Sequence, residues 1–204
     1  GPVYFRNQPL GCTATIIYQM YQENQITPSR ETAGLLCAAI ISDTLLFQSP
    51  TCTPMDEATA RTLAQIAGIN IDEFAKEMFK AGSNLANKSV SEICFQDFKE
   101  FHVNELTFGV GQINSMSSEE LQEIREKVCP ELPDVLKESG LDMVFFMLTN
   151  IVDQSTELLC CGGSARQTVI DAFELPEDTD QIVLNGVVSR KKQLIPTLVS
   201  ELQQ

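Results

Sequence analysis

The stretch "LDMVFFMLT", residues 141–149, is almost continuously apolar and has the length of a single strand. Such a strand is typical of a sheet covered on both faces, because neither face then needs polar side chains. Strand-like and helix-like segments alternate around it, which predicts an α/β fold with a largely parallel or mixed sheet. These segments are strand-like "LTFGVGQIN" (106–114), a helix that opens at 117–120 and is interrupted by Pro130 and Pro133, strand-like "STELLCC" (155–161), helical "ARQTVIDAF" (165–173), strand-like "QIVLNGVV" (181–188) and a last helix over about 195–202.

The first part of the chain has helical periodicity throughout. It predicts a helix in "GCTATIIYQMYQEN" (11–24), a second from Thr27 and Pro28 to about Asp43, a third from Thr53 and Pro54 to Gly68, and a shorter one over about 71–80. The small, polar stretch "GSNLANKS" (82–89) then predicts a domain boundary. We expect a first domain over 1–82, a linker over 83–88 and a second domain over 89–204.

The composition is that of an acidic globular protein. Of the 204 residues, 43% are hydrophobic, and the net charge of −14 argues against nucleic acid or an anionic membrane as a partner. No apolar run reaches the roughly 18 residues of a membrane span. Seven cysteines without a C-x-x-C pair, and a single His, favour reduced thiols and a cytoplasmic location over disulfides or a zinc site. The start at Gly1 and Pro2, without a Met, leads us to expect a fragment.

The apolar run "AAIISDTLLF", residues 38–47, contains one charged residue, Asp43. The run is typical of buried chain, and a buried carboxylate is costly unless a cation or hydrogen-bond donors receive it. One reading is a helix-end carboxylate satisfied by Ser42, Thr44 or an Arg. The other is a ligand of a hard cation such as Mg²⁺ or Mn²⁺, for which carboxylate oxygen is suited. A single Asp cannot form a metal site, so the remaining ligands would have to come from elsewhere.

The densest positive charge, Arg190, Lys191 and Lys192, lies in "VVSRKKQ". It follows a predicted strand and precedes a helix start, where free N–H groups favour anions. Arg can clamp a phosphate through two hydrogen bonds and Lys can add a point charge. The alternative to an oxyanion site is a solvated charge run, and in either case we expect Arg190 to face solvent.

Four other positions carry weaker signals. Lys99, in "FQDFKEF", has the pattern of a surface Lys whose stem covers apolar neighbours. His102 has no neighbours at metal-ligand spacing and is predicted to be structural or exposed. Asp56 and Glu57 are predicted to be first-turn helix acids rather than catalysts.

Four segments together resemble the family II inorganic pyrophosphatases of the DHH phosphoesterase superfamily: "NQPLGCTATII", "AGLLCAAIISDTLLFQSPTCT", "FKAGSNL" and "GVVSRKKQLIP". The resemblance implies the C-terminal part of a DHH parallel-sheet domain, followed by a DHHA2 domain with a mixed sheet and flanking helices. It also implies that pyrophosphate is hydrolysed to two phosphates by a two-metal mechanism in the cleft between these domains.

The resemblance further implies roles for four residues. Asp43 would be a catalytic metal ligand, for Mn²⁺ (or Co²⁺) and Mg²⁺, in a pair of ions that holds an attacking hydroxide and neutralises phosphoryl oxygens. Lys99, Arg190 and Lys191 would bind the substrate phosphates and stabilise the charge on the leaving phosphate.

The chain departs from the family in its metal site. The G-H-x-N-P-D-x-D motif, the bridging Asp and the D-H-H motif are absent, and His102 is the only His. We therefore expect the 204-residue chain to be inactive alone and to need a missing N-terminal DHH segment as its partner. The resemblance also implies a homodimer through the DHH domain and, where a CBS insert precedes the "GCTAT" helix, adenine nucleotides as ligands. Two other functions remain open: a DHHA2-type exopolyphosphatase, and a non-catalytic binding or assembly module.

Overall fold

The computed structural model describes residues 1–82 and 88–203. The chain divides into two compact units, Gly1–Met78 and Phe79–Gln204. The predicted linker, 83–88, lies almost wholly outside the described residues, so the predicted domain boundaries stay a prediction. None of the described helices combines the length and the apolar character needed to cross a bilayer.

The first unit is helical, and residues 1–82 contain no strand. Its helices are α1 (Thr13–Glu23), α2 (Arg30–Asp43), α3 (Pro54–Ala67) and α4 (Ile71–Gly82), the last of which continues past Met78. The four predicted helices are confirmed, but α2 begins later than predicted because Ser29 is its N-cap. Ser29 is extended, and its Oγ accepts a hydrogen bond from the Thr32 N–H at 3.2 Å.

Helices α2 and α3 form the core of this unit. Their contact is the most extensive between helices of this unit, and they bury mainly small side chains, which lets the two helices approach closely. The buried residues are Ala33, Cys37, Ile40 and Ile41 of α2 and Ala60, Leu63, Ala64 and Ala67 of α3. Helix α3 ends as predicted at Gly68, whose φ of 66° lies in the left-handed region that favours glycine. This packing fixes the end of α2, and therefore the position of Asp43.

The second unit is a mixed α/β domain. Its elements are α5 (Val90–Phe95), β1 (Phe98–Val103), β2 (Leu106–Ser115), α6 (Ser118–Val128), a 3-10 turn (Cys129–Glu131), α7 (Leu132–Ser139), β3 (Met143–Asn150), β4 (Ser155–Gly162), α8 (Ala165–Ala172), β5 (Val183–Asn185), a π-helical turn (Arg190–Leu194) and α9 (Ile195–Leu202). The predicted positions of β2, β3, β4, α8 and α9 are confirmed. Strand β5 occupies only three of the eight residues predicted for it, and α5 and β1 were not predicted.

The five strands form one sheet in the order β1-β2-β3-β4-β5. Only β2 and β3 are parallel; the other three neighbouring pairs are antiparallel. The sheet is therefore mixed, as the resemblance implied, and not largely parallel. All eight residues of β3 are buried, which confirms that its continuous apolar run lies at the centre of a covered sheet.

Helices cover both faces of the sheet. Successive side chains of a strand point to opposite faces, so a strand that is buried throughout, such as β3, needs both faces covered. Val110, Phe145 and Leu158 face one side, where they pack with Val169 of α8 and Leu198 of α9. The opposite side chains of β3 pack against a second cluster that includes Ile124 of α6 and Val135 of α7. The packing of α9 fixes the basic π-helical turn that directly precedes it.

Candidate functional site

Asp43 is the last residue of α2 and is exposed, not buried. The prediction from the apolar run was wrong at this position because the last turn of the helix exposes both Ser42 and Asp43, while Ile41 and Thr44 on either side stay buried. The carboxylate lies beside the thiol of Cys12. Burial, and then a hydrogen bond to Asp43, raise the pKa of Cys12 to about 12, so this thiol is protonated at neutral pH.

A left-handed turn follows Asp43 directly. Leu45, Leu46 and Phe47 have φ values of 49°, 50° and 70°, a region that non-glycine residues seldom occupy. The buried Thr44 closes the turn, because its hydroxyl donates to the Ile40 carbonyl at 2.6 Å and accepts from the Phe47 N–H at 3.2 Å. Backbone strain of this kind is concentrated at functional sites.

The fully buried carboxylate of the first unit is that of Asp56. It forms a capping box with Thr53 at the start of α3. It also accepts from the Gly11 N–H at 2.9 Å, the Cys12 N–H at 3.3 Å and the Thr15 hydroxyl at 2.6 Å. Burial by itself would raise the pKa of Asp56, but the hydrogen bonds from Thr15, Thr53 and Gly11 outweigh it and lower the pKa. Asp56 is therefore a first-turn acid, as predicted, but one that also joins α1 to α3.

Gly11 is needed for close approach, not for an unusual backbone angle. A Cβ at this position would lie 3.0 Å from Thr44 Cγ2 and from the Thr51 carbonyl, and 3.1 Å from Asp56 Oδ2. The start of α1 therefore packs tightly on the segment that follows Asp43. The helix cap is the Cys12 side chain, which accepts from the Ala14 N–H at 3.3 Å.

The described residues do not fit a metal ion by themselves. Within 1–82 and 88–203, no group of three His, Cys, Asp or Glu side chains could hold one. Asp43 offers one carboxylate, and a divalent ion in a protein needs several ligands.

Arg190 is buried, with only 7% of its surface exposed, so the expectation that it faces solvent was wrong. Its Nη1 donates to the main-chain oxygen of Asp97 at 2.6 Å and to that of Val110 at 3.0 Å. Its Nη2 donates to Asp97 Oδ1 at 2.7 Å and forms an ion pair whose carboxylate is half exposed. The guanidinium is thus fixed at the start of β1.

Lys191 and Lys192 are exposed in the π-helical turn that begins with Arg190. Several N–H groups at this helix start already have side-chain acceptors. Ser189 Oγ accepts from Lys192 N–H at 3.3 Å, and Gln193 Oε1 accepts from the Val188 and Ser189 N–H groups at 3.0 Å each. Basic side chains, more than free N–H groups, therefore remain for an anion.

The structure brings Lys99 to the same end of the sheet as Arg190. Lys99 is exposed in β1 and pairs directly with Val110 of β2, so the two side chains lie on one face of the sheet. The main-chain oxygen of Val110 in turn accepts from Arg190. His102 is exposed further along β1.

Polar side chains of the sheet, of which Thr149 and Thr156 are buried and Gln112 is partly buried, hold the loop before Arg190. Gln112 Nε2 donates to the Val188 carbonyl at 3.1 Å and to Thr149 Oγ1 at 3.1 Å, and the Thr156 hydroxyl donates to the Val187 carbonyl at 2.6 Å. These supports were not predicted. The only signal for them was the presence of polar residues within strands that are otherwise apolar.

Comparisons with known proteins agree with this architecture. The DHHA2 domain family matches residues 76–200. The chain is 46% identical over 198 residues to a "Cobalt-dependent inorganic pyrophosphatase" of Clostridium perfringens, covering 97% of this chain and 36% of the relative. It is 40% identical over 202 residues to a "Probable manganese-dependent inorganic pyrophosphatase" of Bacillus cereus, covering 99% of this chain and 65% of that protein. The chain thus spans between about a third and two thirds of the length of these curated relatives.

A solved structure has the same fold. The "Crystal structure of Methanococcus jannaschii putative family II inorganic pyrophosphatase" superposes with a TM-score of 0.80 at 36% identity, covering 100% of this chain and 69% of that one. The matched domain accounts for more than half of the residues, and the relatives align over nearly all of them. The chain therefore belongs to the family II inorganic pyrophosphatases and carries their DHHA2 domain.

Proposed function

We propose that the full-length protein carrying this chain hydrolyses inorganic pyrophosphate to two phosphates. The observation that carries the proposal is the grouping of Lys99 and Arg190, with Lys191 next in the chain, at one end of the sheet. The chain has a net charge of −14, so a local cluster of cations stands out from its surface and favours a site for an anion. The names of the relatives, all inorganic pyrophosphatases, support the same substrate.

The basic residues have distinct tasks in this proposal. The Arg190 guanidinium grips one phosphate through two parallel hydrogen bonds, while the ammonium groups of Lys99 and Lys191 add point charges. Together they would orient the substrate and stabilise the charge that develops on the leaving phosphate.

We assign the metal to the full-length protein. The relatives' names give cobalt and manganese, so Mn²⁺ or Co²⁺ is the proposed cofactor, with Mg²⁺ as a third candidate. Asp43 would supply one ligand, and the others would come from a DHH segment outside this chain. Assembly as a homodimer through the DHH domain is part of the same proposal, as is adenine-nucleotide binding where the full-length protein contains a CBS insert. A cytoplasmic location is supported by the seven free cysteines.

Phosphate release by the purified full-length protein tests the function. The protein is stripped of metal, reloaded with Mn²⁺, Co²⁺ or Mg²⁺, and assayed with pyrophosphate, tripolyphosphate and longer polyphosphate. We expect pyrophosphate to be hydrolysed fastest. Faster turnover of the longer chains would favour the exopolyphosphatase, and no turnover of any substrate would favour a non-catalytic module.

The role of Asp43 is tested in the same protein with Asp43→Ala. Mn²⁺ affinity, measured by calorimetry, and turnover should fall together, because a lost ligand affects both. Glu77→Ala, at an exposed acid of the same unit, is the matched control and should change neither. Lost turnover with unchanged Mn²⁺ affinity would contradict the ligand role.

A further inference from the structure

We infer that Asp97 is a positioning residue, which orients Arg190 so that its Nε–Nη2 edge faces the substrate phosphate. The inference rests on the proposed function, since it concerns how the pyrophosphate site is built. It goes beyond that function because Asp97 carries a negative charge and would not itself bind an anionic substrate.

The hydrogen bonds of Arg190 define which edge remains. A guanidinium has five N–H donors in one plane. Both N–H groups of Nη1 are used, by the main-chain oxygens of Asp97 and Val110, and one N–H of Nη2 is used by Asp97 Oδ1. Asp97 thus covers the Nη1–Nη2 edge with two of its oxygens.

The two remaining donors are Nε–H and the second N–H of Nη2, and no residue in the described part of the chain accepts from them. They lie side by side and point in the same direction. This is the pair that forms parallel hydrogen bonds to two oxygens of one phosphate. The geometry therefore leaves Arg190 a single bidentate edge.

The Asp97 carboxylate holds a second nitrogen of the guanidinium, Nη2, which the two carbonyls do not contact. The carbonyls hold only Nη1, so without the carboxylate the guanidinium could swing about that nitrogen. The carboxylate holds Nη2 and is the one ion-pair partner of Arg190 among the described residues. Since Arg190 is almost fully buried, this partner also stabilises the charge when no phosphate is bound.

Three variants of the full-length protein separate orientation from charge. Asp97→Ala removes the carboxylate but keeps the main-chain oxygen that binds Nη1. Asp97→Asn keeps an oxygen at the Oδ1 position without the charge. Glu100→Ala removes an exposed acid of β1, the strand that begins directly after Asp97, and is the matched control for net charge.

The variants are compared by kcat and KM for pyrophosphate with Mn²⁺, and by the Kd of methylenediphosphonate, a non-hydrolysable analogue, measured by calorimetry. A lost charge-assisted hydrogen bond corresponds to about 10- to 100-fold, so kcat/KM should fall and Kd should rise by that order in Asp97→Ala. Asp97→Asn should recover most of the loss, and Glu100→Ala should match wild type. In an Arg190→Lys background, Asp97→Ala should have almost no further effect, because the residue that it positions is gone.

The outcomes distinguish this inference from the proposed function. If wild type hydrolyses pyrophosphate and Asp97→Ala has the same kcat/KM and Kd, the positioning role is wrong and the function stands. If Asp97→Asn is as impaired as Asp97→Ala, the charge matters and orientation does not, which also overturns the inference. If wild type neither hydrolyses pyrophosphate nor binds the analogue, the proposed function fails and this inference fails with it.

Discussion

At the residue scale, Asp56 is the charge on which the first unit depends. Its buried carboxylate receives donors from residues 11–15 and from Thr53, so it joins the start of α1 to the start of α3. A buried carboxylate is tolerated only when donors replace its lost hydration. The donors in the Gly11–Thr15 segment lie 41 to 45 residues from Asp56 in sequence, which explains why the local pattern predicted only a helix-start acid.

The lowered pKa of Asp56 predicts how its contribution to stability depends on pH. A group whose pKa is lower in the folded state stabilises the fold above its unfolded pKa, about 3.9, and loses that contribution as the pH falls through its folded pKa. Asp56→Asn cannot ionise and leaves donors unsatisfied, at a cost of about 1–3 kcal/mol at neutral pH. The difference in melting temperature between wild type and Asp56→Asn should therefore be largest at pH 5–7 and shrink below about pH 4.

Thermal melting between pH 2.5 and 7 measures this difference. Glu77→Gln, at an exposed acid, is the control and should show a small difference at every pH. A difference for Asp56→Asn that stays constant across the range would show that shape, not ionisation, determines the role of this side chain.

At the element scale, the turn after α2 ends the helix without a glycine. Left-handed backbone costs L-residues roughly 1–2 kcal/mol each, and here three consecutive residues, Leu45–Phe47, adopt it. The hydrogen bonds of Thr44 and the Ser49 N–H, which donates to the Thr44 carbonyl at 2.8 Å, offset that cost. The turn also reverses the chain so that α3 can pack back against α2.

Thr44 allows a matched test of this turn. Thr44→Val keeps the shape but removes the hydroxyl, which leaves the Phe47 N–H without its acceptor, so we expect a loss of about 1–3 kcal/mol in the free energy of unfolding. Thr44→Ser keeps the hydroxyl and removes only the methyl group near Gly11, so its loss should be about 1 kcal/mol. Urea unfolding of the full-length protein and both variants measures the order. Greater destabilisation by Ser than by Val would mean that methyl packing, not the hydroxyl, holds the turn.

An element could be predicted where the sequence within that element carries the signal for it. Cap residues and hydrophobic periodicity are local, so β3, α3 and α9 were predicted well. Strand β1 was missed because it is an edge strand whose exposed Lys99 and Glu100 interrupt the apolar alternation. The left-handed turn was missed because "TLLF" contains neither glycine nor asparagine, the usual residues for such angles.

At the scale of the whole molecule, the candidate site combines residues that are far apart in sequence. Charge density singled out Arg190, Lys191 and Lys192 together, whereas the choice of Arg190 and Lys191 among them, and of Lys99, required the family resemblance. Asp97 carried no signal because it is 93 residues from Arg190, and only the pairing of β1 with β2 brings it there. The same holds for Gln112, which reaches Val188 from 76 residues away.

Because Arg190 joins β1, β2 and the loop before α9, its substitution should affect stability and activity together. Lys keeps the charge, but one ammonium cannot replace the three hydrogen bonds of the planar fork and also grip a phosphate with two donors. In the full-length protein, Arg190→Lys should therefore remain folded but lose about 1–3 kcal/mol of stability, and its turnover of pyrophosphate should fall by roughly 10²–10³-fold.

Lys192→Ala, at an exposed neighbour, is the control and should change both much less. Thermal melting and phosphate release measure the two effects. A melting temperature lowered by Arg190→Lys without any loss of turnover would restrict Arg190 to a structural role, and wild-type values of both would refute the site.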